Sequence, residues 1–175
     1  MQVQLEQVRQ KTFRWDGFQH IPVERLERSE VLGLGEIAWR GEIRHAAPGF
    51  HLKASVAYEQ TLQCIRCLQR MTRQAASELE LMIFIEQAEA GPGEYELEAS
   101  DLGVLYLETD ILDLEPLLLE QLQLNVPMRE TCREDCKGLC PVCGGDRNVE
   151  DCECNRGAVD PRWSGLSDLK DRLDP

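Results

Sequence analysis

The sequence has few histidines and no long apolar run: 3 of its 175 residues are His. Its longest purely apolar runs, such as Leu81–Ile85 and Leu117–Leu119, fall far short of the roughly 20 residues that a membrane-spanning helix needs. The first residues, 1–6, have neither the basic start nor the apolar centre of a signal peptide. These absences predict a cytoplasmic protein with no membrane partner.

Catalytic motifs are lacking as well. His20, His45 and His51 are scattered and do not form an H-E-x-x-H metal site. Gly33-Leu-Gly35 lacks the third glycine of a dinucleotide loop, and the sequence contains neither a P-loop nor a G-x-S-x-G motif. Acidic residues are plentiful, but no pair stands out for acid–base work. The sequence therefore predicts that the protein is not an enzyme and has no small-molecule substrate.

Basic residues are missing from the middle of the chain. Between Gln74 and Met128 there are thirteen acidic residues and no Lys or Arg, and the net charge of the whole chain is −13. This balance argues against a protein that finds nucleic acid by bulk electrostatics. Two interpretations stay open: an acidic surface that keeps the protein soluble, or a docking face for a basic partner.

Alternation of apolar and polar residues predicts an antiparallel β body. Phe50–Tyr58 alternates cleanly after the turn signal at Ala47–Gly49, as a half-buried strand does. Met71–Ile85 also ends in alternation; a helix is the alternative over part of it, but a strand is preferred. Val104–Leu107 is a further short strand. Phe13–Phe18 is interpreted as a loop with aromatic anchors, and 91–93 as another loop.

One amphipathic helix is predicted at about 113–124. Asp113 is a suitable N-cap, because it precedes an acidic residue and Pro116 in the first turn. Leu114, Leu117, Leu118 and Leu122 recur at helical spacing and indicate core packing. The helix should end before Pro127.

The predicted fold class is α+β: a mainly antiparallel β-sheet or partly closed barrel, one principal helix, and a Cys-rich zinc-binding C-terminal tail. We expect four segments. They are an N-terminal segment (1–30), the β-rich body (31–128), a Cys-rich zinc-binding segment (129–159) and a short C-terminal helix (160–175).

Eight cysteines are the most informative feature of the sequence. In an exported protein they would indicate disulfides, but in a reducing compartment paired thiolates bind metal. Cys140-Pro-Val-Cys143 is the most specific motif, because two sulfurs of such a turn can reach one ion and the following glycine tolerates positive φ. Cys152 and Cys154 follow after an eight-residue loop. Cys132 and Cys136 precede it, and the tail is too poor in apolar residues to fold without metal.

The pair Cys64 and Cys67 is a weaker signal, because Leu68 rather than glycine follows it. A thioredoxin-like redox pair and two unliganded buried thiols remain alternatives.

Eight thiols fit two Cys₄ sites, and local geometry favours one partition. Cys140, Cys143, Cys152 and Cys154 would form one site, and Cys64, Cys67, Cys132 and Cys136 the other, which would clamp the tail to the sheet. The rival partition joins Cys64 and Cys67 with Cys140 and Cys143. A closed Cys₄ set is structural rather than catalytic, and Zn²⁺ is favoured over an iron–sulfur cluster because the surroundings offer little apolar shelter.

These motifs resemble those of the YceD-like family, described as large ribosomal RNA subunit accumulation proteins. The likeness lies in 63–68, in the leucine-rich segment 113–127 and in the tail 134–154, and the ending from Asp160 is also similar. It implies a non-enzymatic factor that supports the accumulation or processing of large-subunit (23S) ribosomal RNA and ribosome assembly. The implied partner is this RNA or a pre-ribosomal particle, reached in part through a basic ribosomal protein on the acidic middle segment.

Two groups of basic residues flank the cysteines and are the candidate RNA contacts. They are Arg66, Arg70 and Arg73, and Arg129, Arg133 and Lys137. The competing interpretation is that they only balance nearby acids and thiolates. Two other functions stay open: a redox-switched zinc chaperone and a zinc-ribbon transcription adaptor.

Overall fold

The computed structural model describes residues 1–28, 30–85, 103–154 and 162. The predicted loop at 91–93 lies outside these residues, as does the predicted helix at 160–175 except for Arg162. The strands are β1 (Gln2–Gln4), β2 (Phe13–Gln19), β3 (Val31–Leu34), β4 (Ile37–Ala46), β5 (Gly49–Gln63), β6 (Arg70–Ile85), β7 (Val104–Leu107) and β8 (Ile111–Asp113). The helices are α1 (Leu5–Val8) and α2 (Leu114–Leu124), and Val23–Leu26 forms a 3₁₀ turn.

Two long antiparallel strands, β5 and β6, form the centre of the main sheet and pair from Phe50↔Ile83 to Gln63↔Arg70. The sheet order is β2-β4-β5-β6-β7, and β3 pairs with β5 beyond the start of β4. Strand β7 runs parallel to β6, while β1 and β8 form a separate two-stranded sheet. The prediction of a mainly antiparallel sheet with one main helix is confirmed. Among the described strands the sheet stays open, with β2 and β7 at the ends of the path, so the alternative of a barrel is not adopted.

Side-chain alternation determines which face of the sheet is buried. In β5 the even-numbered residues from Leu52 to Leu62 are buried, while Lys53, Ala57 and Glu59 are exposed. The predicted strands at 50–58, 71–85 and 104–107 are therefore confirmed. The turn signal at Ala47–Gly49 marks the tight connection between β4 and β5.

Helix α2 packs its leucines into the core, as the sequence indicates. Leu114, Leu118 and Leu122 are at most 3% exposed, and burying each such side chain stabilises the fold by about 1.5–3 kcal/mol. The Asp113 carboxylate accepts a hydrogen bond from the backbone N–H of Glu115 at 3.0 Å, which confirms the predicted N-cap. That hydrogen bond lowers the pKa of Asp113. The phenol of Tyr58 donates to the carbonyl of Leu122 at 3.4 Å, which joins the helix to β5.

The loop interpretation of Phe13–Phe18 is wrong, because these residues belong to β2. The strand pairs with β4 through seven residue pairs, from Phe13↔Ile43 to Gln19↔Ile37. Phe13 and Trp15 face the core while Arg14 and Asp16 are exposed, which is the alternation of a strand. Gly17 and the charged residues between the aromatics concealed this period.

The chain divides into two compact units. The first comprises 1–63 and 70–130 and contains the eight strands and two helices named above, together with the apolar core. The second comprises 64–69 and 131–175; residues 64–69 are the connection between β5 and β6. In the part of the chain that the structure describes, no helix is long and apolar enough to cross a membrane. The four-segment division at residues 30, 128 and 159 stays a prediction.

Candidate metal centres

The second unit brings the eight sulfurs together in two groups of four. Within each group, every sulfur lies within 4.8 Å of the others. The first cluster consists of Cys64, Cys67, Cys132 and Cys136. The second cluster consists of Cys140, Cys143, Cys152 and Cys154. This is the partition that local geometry favours in the sequence, and the rival grouping of Cys64 and Cys67 with Cys140 and Cys143 is not formed.

Sulfur separations in the first cluster fit a tetrahedral metal ion. The Sγ atoms of Cys64 and Cys136 are 3.9 Å apart, and those of Cys67 and Cys132 are 3.7 Å apart. Four sulfurs at about 2.3 Å from one zinc ion would be about 3.8 Å from each other, whereas a disulfide needs about 2.05 Å. The donor set and its spacing therefore fit Zn²⁺ at the first cluster.

Backbone geometry in the turn after β5 aims N–H groups at the first sulfur. The N–H of Arg66 donates to the Sγ of Cys64 at 3.4 Å, while Cys64 and Leu68 close the turn through an N–H···O bond of 2.9 Å. Leu68 takes a left-handed conformation, with φ of 61°. This conformation costs a non-glycine residue about 1–2 kcal/mol. The folded turn therefore holds Leu68 in a backbone conformation that a leucine by itself disfavours.

The turn at Cys140 repeats this geometry. The N–H of Val142 donates to the Sγ of Cys140 at 3.4 Å, and the N–H of Gly144 donates to the carbonyl of Cys140 at 2.9 Å. Gly144 has φ of 74°, which glycine adopts without steric cost. Both Cys-x-x-Cys motifs are therefore the same kind of sulfur-binding turn.

Arg66 ties the two halves of the first cluster together. Its Nη1 donates to the carbonyl of Cys136 at 3.0 Å and to that of Glu134 at 3.3 Å, and its own carbonyl accepts from the N–H of Leu139 at 2.9 Å. Gly138 lies close to it: a Cβ there would be 2.9 Å from the Arg66 carbonyl. The sequence placed Arg66 among the RNA contacts and gave no indication of this structural role.

The electrostatics of each cluster favour one thiolate. At Cys64 burial opposes ionisation, but backbone N–H groups that point at the sulfur outweigh it and lower the pKa to about 6. Burial raises the pKa of Cys67 to about 12. In the second cluster, backbone N–H groups lower the pKa of Cys140 to about 6, while the hydrogen bond with Cys143 raises that of Cys154 to about 12. A bound metal would displace the remaining protons, because metal-ligating sulfur is thiolate.

Burial differs between the two clusters. Cys64, Cys67 and Cys136 are at most 6% exposed, and Cys132 is half-buried. In the second cluster Cys140 is buried, Cys143 is exposed, and Cys152 and Cys154 are half-buried. Closed four-sulfur sets leave no ligand position for water, so both arrangements are suited to holding structure rather than to catalysis.

A model of the family described as "Large ribosomal RNA subunit accumulation protein YceD" matches residues 52–170. This chain belongs to the YceD family. The matched range includes all eight cysteines and the whole of α2. The resemblance found in the sequence is therefore confirmed.

Curated relatives come from bacteria and a plant. The uncharacterized protein YlbN of Bacillus subtilis is 25% identical over 168 residues, which cover 95% of this chain and 92% of that protein. An uncharacterized protein of Mycobacterium tuberculosis is 28% identical over 135 residues, which cover 73% of this chain and 58% of the relative. A chloroplastic YCED homolog of Arabidopsis thaliana is 26% identical over 66 residues, 38% of this chain and 21% of that protein. This YceD-family chain thus spans about 58% of the length of its mycobacterial relative, and no solved structure matches it.

Most of the basic residues that flank the cysteines of this YceD-family protein have partners inside the protein. Arg73 forms an ion pair with Glu130 at 2.7 Å, Arg133 with Asp135 at 3.3 Å, and Lys137 with Asp151 at 3.9 Å. Arg66 is occupied by backbone carbonyls, as described above. Arg70 and Arg129 are exposed, and their guanidinium groups make no hydrogen bond or ion pair with any residue that the structure describes.

Proposed function

We propose that this protein is a non-enzymatic cytoplasmic factor that supports the accumulation of large-subunit ribosomal RNA during ribosome assembly. The observation that carries the proposal is the family match, which includes most of β5, the whole of β6 and α2, and every cysteine. The printed family description refers to this RNA, and the function is transferred from it. The closed sulfur clusters support a binding role, because they leave no open ligand position for chemistry.

Both cysteine clusters are proposed to hold structural Zn²⁺. In the described part of the second unit, the buried side chains are cysteines. Such a segment lacks an apolar core, so a metal would have to supply its folding free energy. Elemental analysis of protein purified without oxygen should find two zinc ions per chain. Iron instead of zinc would contradict the proposed zinc sites and favour iron–sulfur clusters.

The RNA contact is proposed to involve Arg70 and Arg129, because these exposed guanidinium groups are available to phosphate. Each phosphate contact would add salt-dependent affinity. The other four basic candidates would contribute less, since intramolecular acids or carbonyls already engage them. The acidic segment between Gln74 and Met128 is proposed to accept a basic ribosomal protein, because its thirteen acidic residues and lack of Lys or Arg complement positive charge.

The function can be tested in cells of the organism that encodes the protein. After depletion of the protein, the ratio of large- to small-subunit ribosomal RNA should fall, and the intact gene should restore it. Arg70→Glu together with Arg129→Glu should weaken RNA cross-linking while zinc content stays unchanged. Lys11→Glu with Arg28→Glu changes the charge equally and serves as the matched control. An unchanged RNA ratio after depletion would contradict the proposed function.

A further inference from the structure

Asn148 lies in the loop that separates the two halves of the second cluster. The loop runs from Gly144 to Asp151, and cysteines of the second cluster, Cys143 and Cys152, adjoin its two ends. A metal bound by the second cluster would therefore fix both ends of the segment that carries Asn148.

The side chain of Asn148 reaches the first cluster. Its Nδ2 donates to the Sγ of Cys136 at 3.5 Å, and its Oδ1 accepts from the backbone N–H of Lys137 at 2.8 Å and from Arg133 at 2.9 Å. One amide thus holds both a sulfur of the first cluster and the backbone beside it.

The orientation of this amide is itself determined by the loop. The Oδ1 of Asp146 accepts from the backbone N–H of Asn148 at 2.9 Å and from its Nδ2 at 2.6 Å. Asp146 in turn forms an isolated β-bridge with Leu139, and the N–H of Arg147 donates to the carbonyl of Gly138 at 3.0 Å. The amide can therefore remain on Cys136 only while this loop keeps its shape.

An N–H donor on a metal-bound thiolate has a clear electrostatic use. Four thiolates around one divalent ion carry a net charge of −2, and each N–H···S bond disperses part of it. Outer-shell donors of this kind typically affect metal affinity by about 10–100-fold when they are removed. For Cys64 and Cys140 the donor is backbone from their own turns, whereas for Cys136 it is a side chain from the loop of the second cluster.

We propose that Asn148 is a positioning residue through which metal occupancy of the second cluster stabilises metal binding at the first. The inference rests on the metal sites of the proposed function. It predicts that metal bound at the second cluster raises the metal affinity of the first. By thermodynamic linkage, metal bound at the first cluster must then raise the affinity of the second equally.

The test measures zinc loss at each cluster separately. The zinc-loaded full chain is challenged with a chelator, and alkylation of Cys136 and of Cys140 is followed by peptide mass spectrometry. Asn148→Ala should speed alkylation of Cys136 about tenfold, within the range that outer-shell substitutions produce. Val149→Ala, at a neighbouring side chain that is 82% exposed, is the matched control and should change neither rate.

Asn148→Asp removes both donations of Nδ2, the one to the Sγ of Cys136 and the one to the Oδ1 of Asp146. The carboxylate can still accept from Lys137 and Arg133, but it cannot donate to sulfur and it adds negative charge near the cluster. We therefore expect the first cluster to lose zinc at least as fast as in Asn148→Ala. Loss at the wild-type rate would overturn the proposal.

Coupling itself is tested with Cys152→Ser and Cys154→Ser together. In the wild-type background this change should accelerate zinc loss from the first cluster about tenfold, whereas with Asn148→Ala already present it should add little. The coupling would be refuted if the two changes multiplied each other's effect on the rate of zinc loss from the first cluster. It would also be refuted if Cys152→Ser with Cys154→Ser left that rate unchanged, and either result would leave the proposed metal sites intact. A wild-type chain without metal would instead refute the sites.

Discussion

The two Cys-x-x-Cys turns share a backbone and differ in side chains. In both, the N–H two residues after the first cysteine reaches its sulfur at 3.4 Å, and the residue four positions after it has positive φ. Leu68 occupies that position in the first turn and Gly144 in the second. The comparison teaches that a sulfur-binding turn can form without its preferred glycine when other contacts supply the free energy.

The largest expected effect is a difference between the two units in their response to zinc removal, since the first contains the strands and the second the cysteines. Removal of zinc by a chelator under reducing conditions should unfold 131–154, because the buried side chains there are cysteines, while the β-sheet core persists. Hydrogen exchange should then become fast in 131–154 and stay slow in β5. Protected amides in 131–154 after complete zinc removal would contradict this.

Replacing one cysteine pair at a time should separate the two clusters. Cys64→Ser with Cys67→Ser, and Cys140→Ser with Cys143→Ser, should each remove one of the two proposed zinc ions. The first pair should lower the thermal unfolding temperature more, because Cys64 and Cys67 are at most 6% exposed whereas Cys143 is exposed. Zinc analysis and calorimetry measure both effects, and an equal loss of stability would show that burial does not distinguish the clusters.

Arg66 and Val142 occupy equivalent positions in the two turns, but only the arginine bonds across to the other half of its cluster. Arg66→Ala should speed zinc loss from the first cluster by about tenfold, since the hydrogen bonds to the carbonyls of Cys136 and Glu134 are lost. Arg70→Ala removes the same charge nearby in sequence and should not alter metal retention. Chelator competition measures the rate of zinc loss from the first cluster. Similar rates for Arg66→Ala and Arg70→Ala would show that Arg66 does not help to hold the metal.

Substitution of the two residues with positive φ, Leu68 and Gly144, should change the stability of the zinc-loaded turns the least. Leu68→Gly should stabilise the zinc-loaded first turn by about 1 kcal/mol, and Gly144→Leu should destabilise the second by about 1–2 kcal/mol. A Cβ at Gly144 would meet no atom within 4 Å, so the first side-chain carbon has room and the cost is expected to come from the positive φ. Zinc affinity of each cluster is the measurement. A weaker first cluster in Leu68→Gly would mean that the leucine side chain contributes more than its backbone strain removes.

Local patterns predicted the elements whose signal is continuous along the chain. The alternation in β5 and the leucine spacing in α2 predicted both elements, because one buried face repeats every second residue in a strand and every third or fourth in a helix. Strand β2 was missed because Gly17 and charged residues interrupt a short alternation. Its strand conformation depends on pairing with β4, which no local pattern reveals.

The candidate metal centres show the same division. The glycine that follows Cys143 indicates the turn formed by Cys140 and Cys143. Cys152 and Cys154 are close enough in the sequence to be predicted at the same site. Leu68 gave no such signal, and neither did Asn148, whose importance comes from the Sγ of Cys136 at 3.5 Å.

The sequence by itself determined that this protein has paired thiols, a β-rich body and a leucine-lined helix, because each depends on residues close together along the chain. Only the tertiary structure decided that Cys64 and Cys67 meet Cys132 and Cys136, some 65 to 72 residues later. The reason is physical: contacts between distant segments depend on the path of the whole chain, and spacing along the sequence records only what neighbours can do.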